Sequence, residues 1–355
     1  GNKSYTKWEP LVAYLARRVG RPVRLALSVE EGFRTMRRAS CRCRIRTAVA
    51  EDGTLLAREI FADFQIGAYA DVAPRVAQKA GYTACGPYRV PNLRIVSQAV
   101  YTHTPPAVAF RGYGVPQFTW AYESQMDEIA RALGMDPVEL RLRNLLRPGE
   151  VFMEGDRPCD ADFPGDLRRL VQAAGWNGSG RRGRGVAVTI KAPLAPSVSN
   201  ALVRLHADGS VTLCVASVEF GQGVHSALAQ VVAEELQVPL ERVRVAMPDT
   251  QAVPYDQATN ASRSTTVMGL AVQDAARDLA RRLLALAAGL WGVPQERLRL
   301  ADGCVTDGER RIPYEELVAE LYGMRGGEMV GFGVYRGRRG RRTWAGRRRF
   351  GRWGW

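Results

Sequence analysis

Three short segments carry residue types able to hold a ligand. The first is Ala109-Phe110-Arg111-Gly112-Tyr113-Gly114-Val115-Pro116-Gln117, just ahead of a helical pattern. Its glycines let backbone approach a bound molecule closely. Its Arg can meet an anion, and its aromatics can stack on a flat ring. An ordinary loop with a buried Tyr satisfies the same pattern. The second segment, Gly221-Gln222-Gly223, lies between an apolar strand and a helix through Leu228, Val231 and Leu236. Backbone N–H groups at such a turn sit at the positive end of the helix dipole, which suits a phosphate or another anion. The G-x-G-x-x-G spacing of a dinucleotide fingerprint is absent, because Ser226 stands where the third glycine belongs. A tight turn without a ligand fits equally well. The third segment, Thr259-Asn260-Ala261-Ser262-Arg263-Ser264-Thr265-Thr266, is hydroxyl-rich and leads into a long Ala/Leu helix. N-capping by Ser262 or Ser264 accounts for one hydroxyl; more are present than a cap uses.

Other chemistry is poorly supplied. The three His (His103, His206 and His225) are scattered, so no metal site built from protein ligands is indicated. The six Cys (Cys41, Cys43, Cys85, Cys159, Cys214 and Cys304) include no C-x-x-C pair. They read as free thiols of a reducing compartment, hence a cytoplasmic protein. No run of about 18 apolar residues marks a membrane span. The net charge of +14 would suggest an anionic partner. Most of that excess sits in one tail, since Arg336 to Trp355 holds nine Arg and no acid.

The elements that must position these segments follow from periodicity. Asp52-Gly53, Asp208-Gly209 and Asp302-Gly303 each sit between strand-like runs and predict three β-hairpins. Phe118, Tyr122, Ile129 and Leu133 recur at helical spacing, with Gly134 ending the run. Asp136-Pro137-Val138-Glu139 predicts an N-cap, a Pro at the first helical position and a capping-box Glu. Asp166 is read as the cap of the next helix, and a long helix is expected from about Ser264 to Leu290. Interleaved hairpins and helices give an α+β class. A stretch rich in Gly, Pro, Asp and Arg, from about 147 to 185, is read as the boundary between two lobes.

In this order, A-F-R-G-x-G-x-P-Q, G-Q-G-V-H-S-A-L-A-Q and D-T…P…T-N-A-S-R-S resemble the molybdenum hydroxylases of the xanthine dehydrogenase and aldehyde oxidase type. The opening Gly1-Asn2-Lys3 looks like the end of that family's G-G-x-F-G-G-K loop. Gly20-Arg21-Pro22-Val23 and Asp136-Pro137 through Asn144 match as well. The resemblance runs from Gly1 to about Tyr335. It implies an α+β, two-lobed molybdopterin-binding domain with β-hairpins and packed helices, incomplete at both ends. On that reading, 1–150 is part of the first lobe, 151–184 a linker, 185–335 part of the second lobe and 336–355 a tail.

The resemblance also implies a molybdopterin-type molybdenum cofactor, with a dinucleotide form among the options. By motif position Phe110, Arg111, Gly221, Gln222, Gly223, Thr259, Ala261, Ser262 and Ser264 would contact it. Tyr113 would stack on substrate and Lys79 would orient it. The activity implied is hydroxylation of an aromatic heterocycle or aldehyde with water-derived oxygen. The partners implied are an iron–sulfur subunit and an FAD subunit, or the same units as domains, besides a small-molecule substrate.

The chain departs from the pattern in four places. The general-base Glu of the family lies in a later G-E motif. Gly327-Glu328 matches an earlier strand and Glu219 a structural place, so no catalytic residue is assigned. Ser4 and Lys79 replace the Glu and Arg of xanthine-type members, which argues against xanthine as substrate. Lys79 and Lys191 otherwise read as solvated lysines. The Arg/Gly/Trp tail resembles nothing in the family and cannot build a core. A reading-frame slip is the preferred explanation, and the fragment alone is expected to be inactive. The rival readings are a non-catalytic cofactor-binding remnant or scaffold and, behind it, nucleic-acid binding through the tail.

Overall fold

The computed structural model describes residues 8–153, 156, 158–176, 183–191, 198–257 and 259–336. Ser4 and nearly all of the Arg-rich tail lie outside them. Contacts divide the chain near residue 192 into two compact units.

In the first unit, helices α1 (Glu9–Val19) and α2 (Val29–Thr35) precede β1 (Ser40–Val49) and β2 (Leu55–Gly67). Asp52-Gly53 makes the expected hairpin: Gly53 has φ +86°, and Asp52 Oδ1 accepts from Thr54 N at 3.0 Å. Helix α3 (Ala73–Tyr82) then leads to β3 (Asn92–Tyr101), which pairs parallel to β2 with Ile60 opposite Ile95. Alternation along β2 turns Ile60, Ala62, Phe64 and Ile66 inward. There they meet α4 (Val115–Leu133) through Phe118, Tyr122 and Met126, with the Phe64 and Phe118 rings 5.7 Å apart. Gly134 ends α4 in the left-handed conformation, and Asp136 caps α5 (Pro137–Asn144) by accepting from Val138 N and Glu139 N.

One expectation changes here. Helix α6 (Phe163–Ala173) is capped by Asp162, which accepts from Gly165 N at 3.0 Å. Asp166 falls in its first turn, because Pro164, with its preset φ, opens the helix earlier. Described residues beyond 147 also pack as part of the first unit. Leu167, Val186 and Val188 join its core, Tyr122 Oη donates to Val188 O at 3.1 Å, and the Thr119 and Thr189 hydroxyls are 2.9 Å apart. Leu167 lies within the 147–185 boundary stretch and Val186 and Val188 just beyond it, and their contacts carry the packing of the first unit past that stretch.

The second unit begins with β4 (Val198–His206) and β5 (Val211–Cys214), joined by the Asp208-Gly209 hairpin. Helix α7 (Val224–Leu236), β6 (Val243–Val245) and α8 (Gly269–Trp291) follow. A small sheet of β7 (Arg299–Ala301), β8 (Cys304–Thr306) and β9 (Arg311–Pro313) contains the Asp302-Gly303 turn. Helix α9 (Tyr314–Tyr322) and β10 (Glu328–Arg336) complete it. The main sheet has the order β10-β4-β5-β6, with Phe332 opposite Leu202. Its inner face (Ala201, Val203, Leu205, Val211 and Leu213) packs against α7 and α8. Helix α8 lies so close to β10 that a Cβ on Gly331 or Gly333 would fall 2.2 Å from Ala275 O or 2.1 Å from Ala271 O. That contact fixes where α8 begins, and the third candidate segment leads into it.

Candidate functional site

In the first unit the Phe110–Gly114 loop is built from three successive left-handed residues: Gly112 (φ +92°), Tyr113 (+51°) and Gly114 (+88°). Tyr113 N donates to Phe110 O at 2.8 Å and Val115 N to Gly112 O at 3.2 Å. Gly114 is required twice over. Its φ is positive, and a Cβ there would lie 2.9 Å from Val76 O and 2.7 Å from the Ala80 Cβ. The loop is thereby seated on α3, the helix that carries Lys79. Tyr113 is half-buried and Arg111 exposed. Phe110 is 43% exposed and carries the Arg38 guanidinium 4.4 Å from its ring centroid. Arg38 was not legible as a neighbour, being distant in sequence with no motif of its own.

Lys79 is not a solvated lysine. It is half-buried, with Nζ 4.4 Å from the Tyr82 ring centroid. Burial lowers its pKa, the nearby Lys191 charge adds to the fall, and Asp156 opposes it. Burial lowers the Lys191 pKa too. Tyr82 Oη donates to Asp156, and burial together with that carboxylate pushes the phenol pKa upward.

In the second unit β5 runs into residues 215–223 and then α7. Gly221 has φ +96° and Gly223 +75°, and a Cβ on either would meet nothing within 4 Å. The backbone there is bare on its open side. The N–H groups at this turn are engaged, contrary to the expectation of unpaired donors. Glu219 Oε1 accepts from Gly221 N at 2.7 Å and Gly223 N at 3.1 Å, and Oε2 from His225 N at 3.3 Å. Desolvation would raise the Glu219 pKa, but the donors from Gly223, His225, Gly221 and Gln222 together hold it below the ordinary value. Gln222 uses both ends of its amide locally: Oε1 accepts from Phe220 N and Nε2 donates to Val218 O, each at 2.8 Å.

The third segment meets the second. Val218 N donates to Thr259 Oγ1 at 3.2 Å, so the two loops are in contact. Ala261 (φ +50°) and Ser262 (+58°) are consecutive left-handed residues, both exposed. No side-chain cap is made at the helix start; a π-turn over Ser264–Met268 precedes α8, with Val267 N donating to Arg263 O. The capping role expected of Ser262 or Ser264 is therefore not filled, since the wider turn absorbs the helix start. Beside it Thr265, Thr266, Val231, Gly269, Leu270 and Gln273 line an open depression of about 320 Å³.

These residues fit a phosphate-bearing, flat cofactor on two grounds. In the second unit the loop that carries Gly221 and Gly223 is joined to the hydroxyl-bearing 259–266 segment by Val218 N and Thr259 Oγ1. One buried hydroxyl there, Ser217 Oγ, also has no hydrogen-bond partner, which is unusual inside a folded protein. Burial pushes Cys41 up to about 12, and Cys43 and Cys85 to about 11, which makes these three thiols poor nucleophiles. Glu328 is committed to Arg204, which donates from Nε at 2.9 Å and Nη2 at 2.8 Å.

The molybdopterin cofactor-binding domain family matches the chain twice, over residues 1–145 and 165–350. The putative xanthine dehydrogenase molybdenum-binding subunit XdhA of Escherichia coli K12 is 33% identical over 337 residues, 90% of this chain. The aldehyde oxidoreductase of Megalodesulfovibrio gigas is 31% identical over 286 residues, 76% of this chain. The chain spans 44% and 32% of these relatives' own lengths. The crystal structure of quinoline 2-oxidoreductase from Pseudomonas putida 86 superposes with a TM-score of 0.80 at 26% identity. That match covers 93% of this chain and 47% of the other. The family matches divide between 145 and 165, earlier than the compact units do, because residues up to 191 pack back onto the first.

Proposed function

The chain belongs to the molybdopterin cofactor-binding domain family, and from that premise we propose that it is part of a molybdenum-dependent oxidoreductase that hydroxylates a flat aromatic heterocycle or an aldehyde. The observation that carries this reading is the junction of the two loops in the second unit, made by Val218 N and Thr259 Oγ1. It joins the loop that carries Gly221, Gln222 and Gly223 to the loop that carries Thr259, Ala261, Ser262 and Ser264. These residues hold the pterin and phosphate parts of the cofactor. Phe110 and Arg111 of the first unit are the contacts that unit supplies.

When bound, the cofactor supplies the metal that activates water-derived oxygen and accepts electrons from the substrate. The chain's own residues bind and orient. Tyr113, fixed by the left-handed turn and by the seat of Gly114 on α3, offers a stacking face. Lys79 offers a single cationic point where a guanidinium would pair two ways, which favours substrates other than xanthine. No general base is assigned among the described residues, because Glu219 is held by backbone donors and Glu328 by Arg204. An iron–sulfur unit and an FAD unit carry the electrons away, and the six free thiols suit a cytoplasmic setting. The test is turnover of quinoline, benzaldehyde and xanthine by the molybdenum-loaded holoenzyme in ¹⁸O-labelled water. Label entering the product, with xanthine the poorest of the three, supports the proposal. No product from any of them, or oxygen drawn from O₂, overturns it.

A further inference from the structure

The Thr259–Ser262 turn is closed by a buried ion pair. The side chains of Asp256 and Arg263 are each 1% exposed. Asp256 Oδ1 accepts from Arg263 Nη1 at 2.6 Å and from the Ser199 hydroxyl at 2.7 Å. Arg263 Nη2 donates to Ser199 Oγ at 2.5 Å and to Val198 O at 3.1 Å. Ser199 and Asp256 also bridge through their backbones, and Asn200 Nδ2 donates to Tyr255 O at 2.8 Å. The residues flanking the Thr259–Ser262 turn, Asp256 and Arg263, are thus tied to the first residues of β4.

What this arrangement achieves is directional. An ion pair removed from water is a weak source of stability, since apolar residues of similar volume commonly do as well. Asp256 Oδ2, buried without a partner, makes the pair costlier still. A planar guanidinium, however, bonds a carboxylate, a hydroxyl and a carbonyl at once, in fixed directions. It can hold a turn that the chain disfavours, and this turn is disfavoured: Ala261 and Ser262 take φ of +50° and +58° without being glycine. The strain falls on the two exposed residues beside Thr259, whose hydroxyl joins the Gln222 loop.

We propose that Arg263, locked by Asp256 and Ser199, is a positioning residue that holds the 259–262 turn in the shape presenting Thr259, Ala261 and Ser262 to the cofactor. The proposal rests on the cofactor reading above. The test compares wild type with Arg263→Lys, Arg263→Met and Ser199→Ala. Two quantities are read: hydrogen exchange of residues 259–263, and pterin bound per chain by fluorescence after release. A lysine keeps the charge but cannot reach all three partners. Arg263→Lys should raise exchange in the turn about tenfold or more, leave the core amides of α7 and α8 unchanged, and lower pterin content severalfold. Ser199→Ala should do the same to a smaller degree, and it keeps the test open if Arg263→Met does not fold. Unchanged turn exchange with unchanged pterin would overturn the proposal. So would faster exchange spread evenly over the second unit, which is the mark of a purely structural role. Wild-type protein with a protected turn but no pterin would overturn the cofactor reading first and the proposal with it, and is distinguishable from both.

Discussion

Gly333→Ala tests the contact that places α8, and with it the start of the turn beside the candidate site. The added Cβ would lie 2.1 Å from Ala271 O, 2.3 Å from Ala275 N and 2.9 Å from Ala275 Cα. All three are helix backbone atoms, so no rotamer change relieves the clash. A carbon–oxygen contact settles near roughly 3.3 Å, so helix and strand must part by about 1 Å. A gap of that size forfeits a quarter to a half of the dispersion energy of the contacts lining it. Overpacking costs about 1–3 kcal/mol. The rigid neighbours put this case at the upper end, and the better strand propensity of Ala returns about 0.5–1 kcal/mol. The expected loss is about 2 kcal/mol, read from urea unfolding followed by far-ultraviolet circular dichroism. Gly221→Ala is the control, because its Cβ meets nothing and only the φ of +96° penalises it, at about 1–2 kcal/mol. A loss below about 0.5 kcal/mol for Gly333→Ala would refute the close-packing argument, as would a smaller effect than that of Gly221→Ala.

Arg141→Met should cost about 3–5 kcal/mol in equilibrium unfolding of the first unit. It removes the 2.8 Å partner of the buried Glu123, which Tyr88 Oη alone would then hold. The Glu219 carboxyl is held below its ordinary pKa, so its contribution is present above the normal carboxylate range and lost as pH falls through the lowered value. The amides of Gly221, Gly223 and His225 should therefore stay protected in NMR exchange through pH 4.5 and lose protection only below it. Lys79 titrates below its ordinary value, so the unfolded chain binds the extra proton and stability should rise with pH up to the normal lysine range. Lys79→Met should accordingly raise the melting temperature at pH 7, with the gain shrinking toward pH 10.5; no gain at pH 7 would mean that the lysine is solvated after all.

Much of the chemistry that acts within a few residues was legible. The three Asp-Gly hairpins, the Asp136 cap and the Gly134 stop are backbone requirements written into adjacent residues. The Asp162 cap was equally local, and Pro164 marked it; Asp166 drew attention because it sits nearer the apolar run. The first unit's reach to 191 depends on Val186 and Val188 finding a distant core, which composition does not encode. At the site, motif order identified the loops, while their state depends on contacts. Glu219 filling the Gly221–Gly223 turn had a signal, an acid two residues before the first glycine, whose carboxylate can fold onto the following N–H groups. Arg38 over Phe110 and Ser199 beneath Arg263 had none, because each comes from a segment far along the chain.

The most direct test is the molybdenum and pterin content of the 355-residue chain, purified from a host that makes molybdopterin. The account predicts fluorescent pterin released in proportion to protein. A Gln222→Ala, Thr259→Val double variant should carry at least about tenfold less, the loss of roughly 1.4 kcal/mol of binding or more, while its unfolding midpoint stays within the range of a surface substitution. Wild-type chain carrying no pterin, or a double variant carrying as much as wild type, would contradict it.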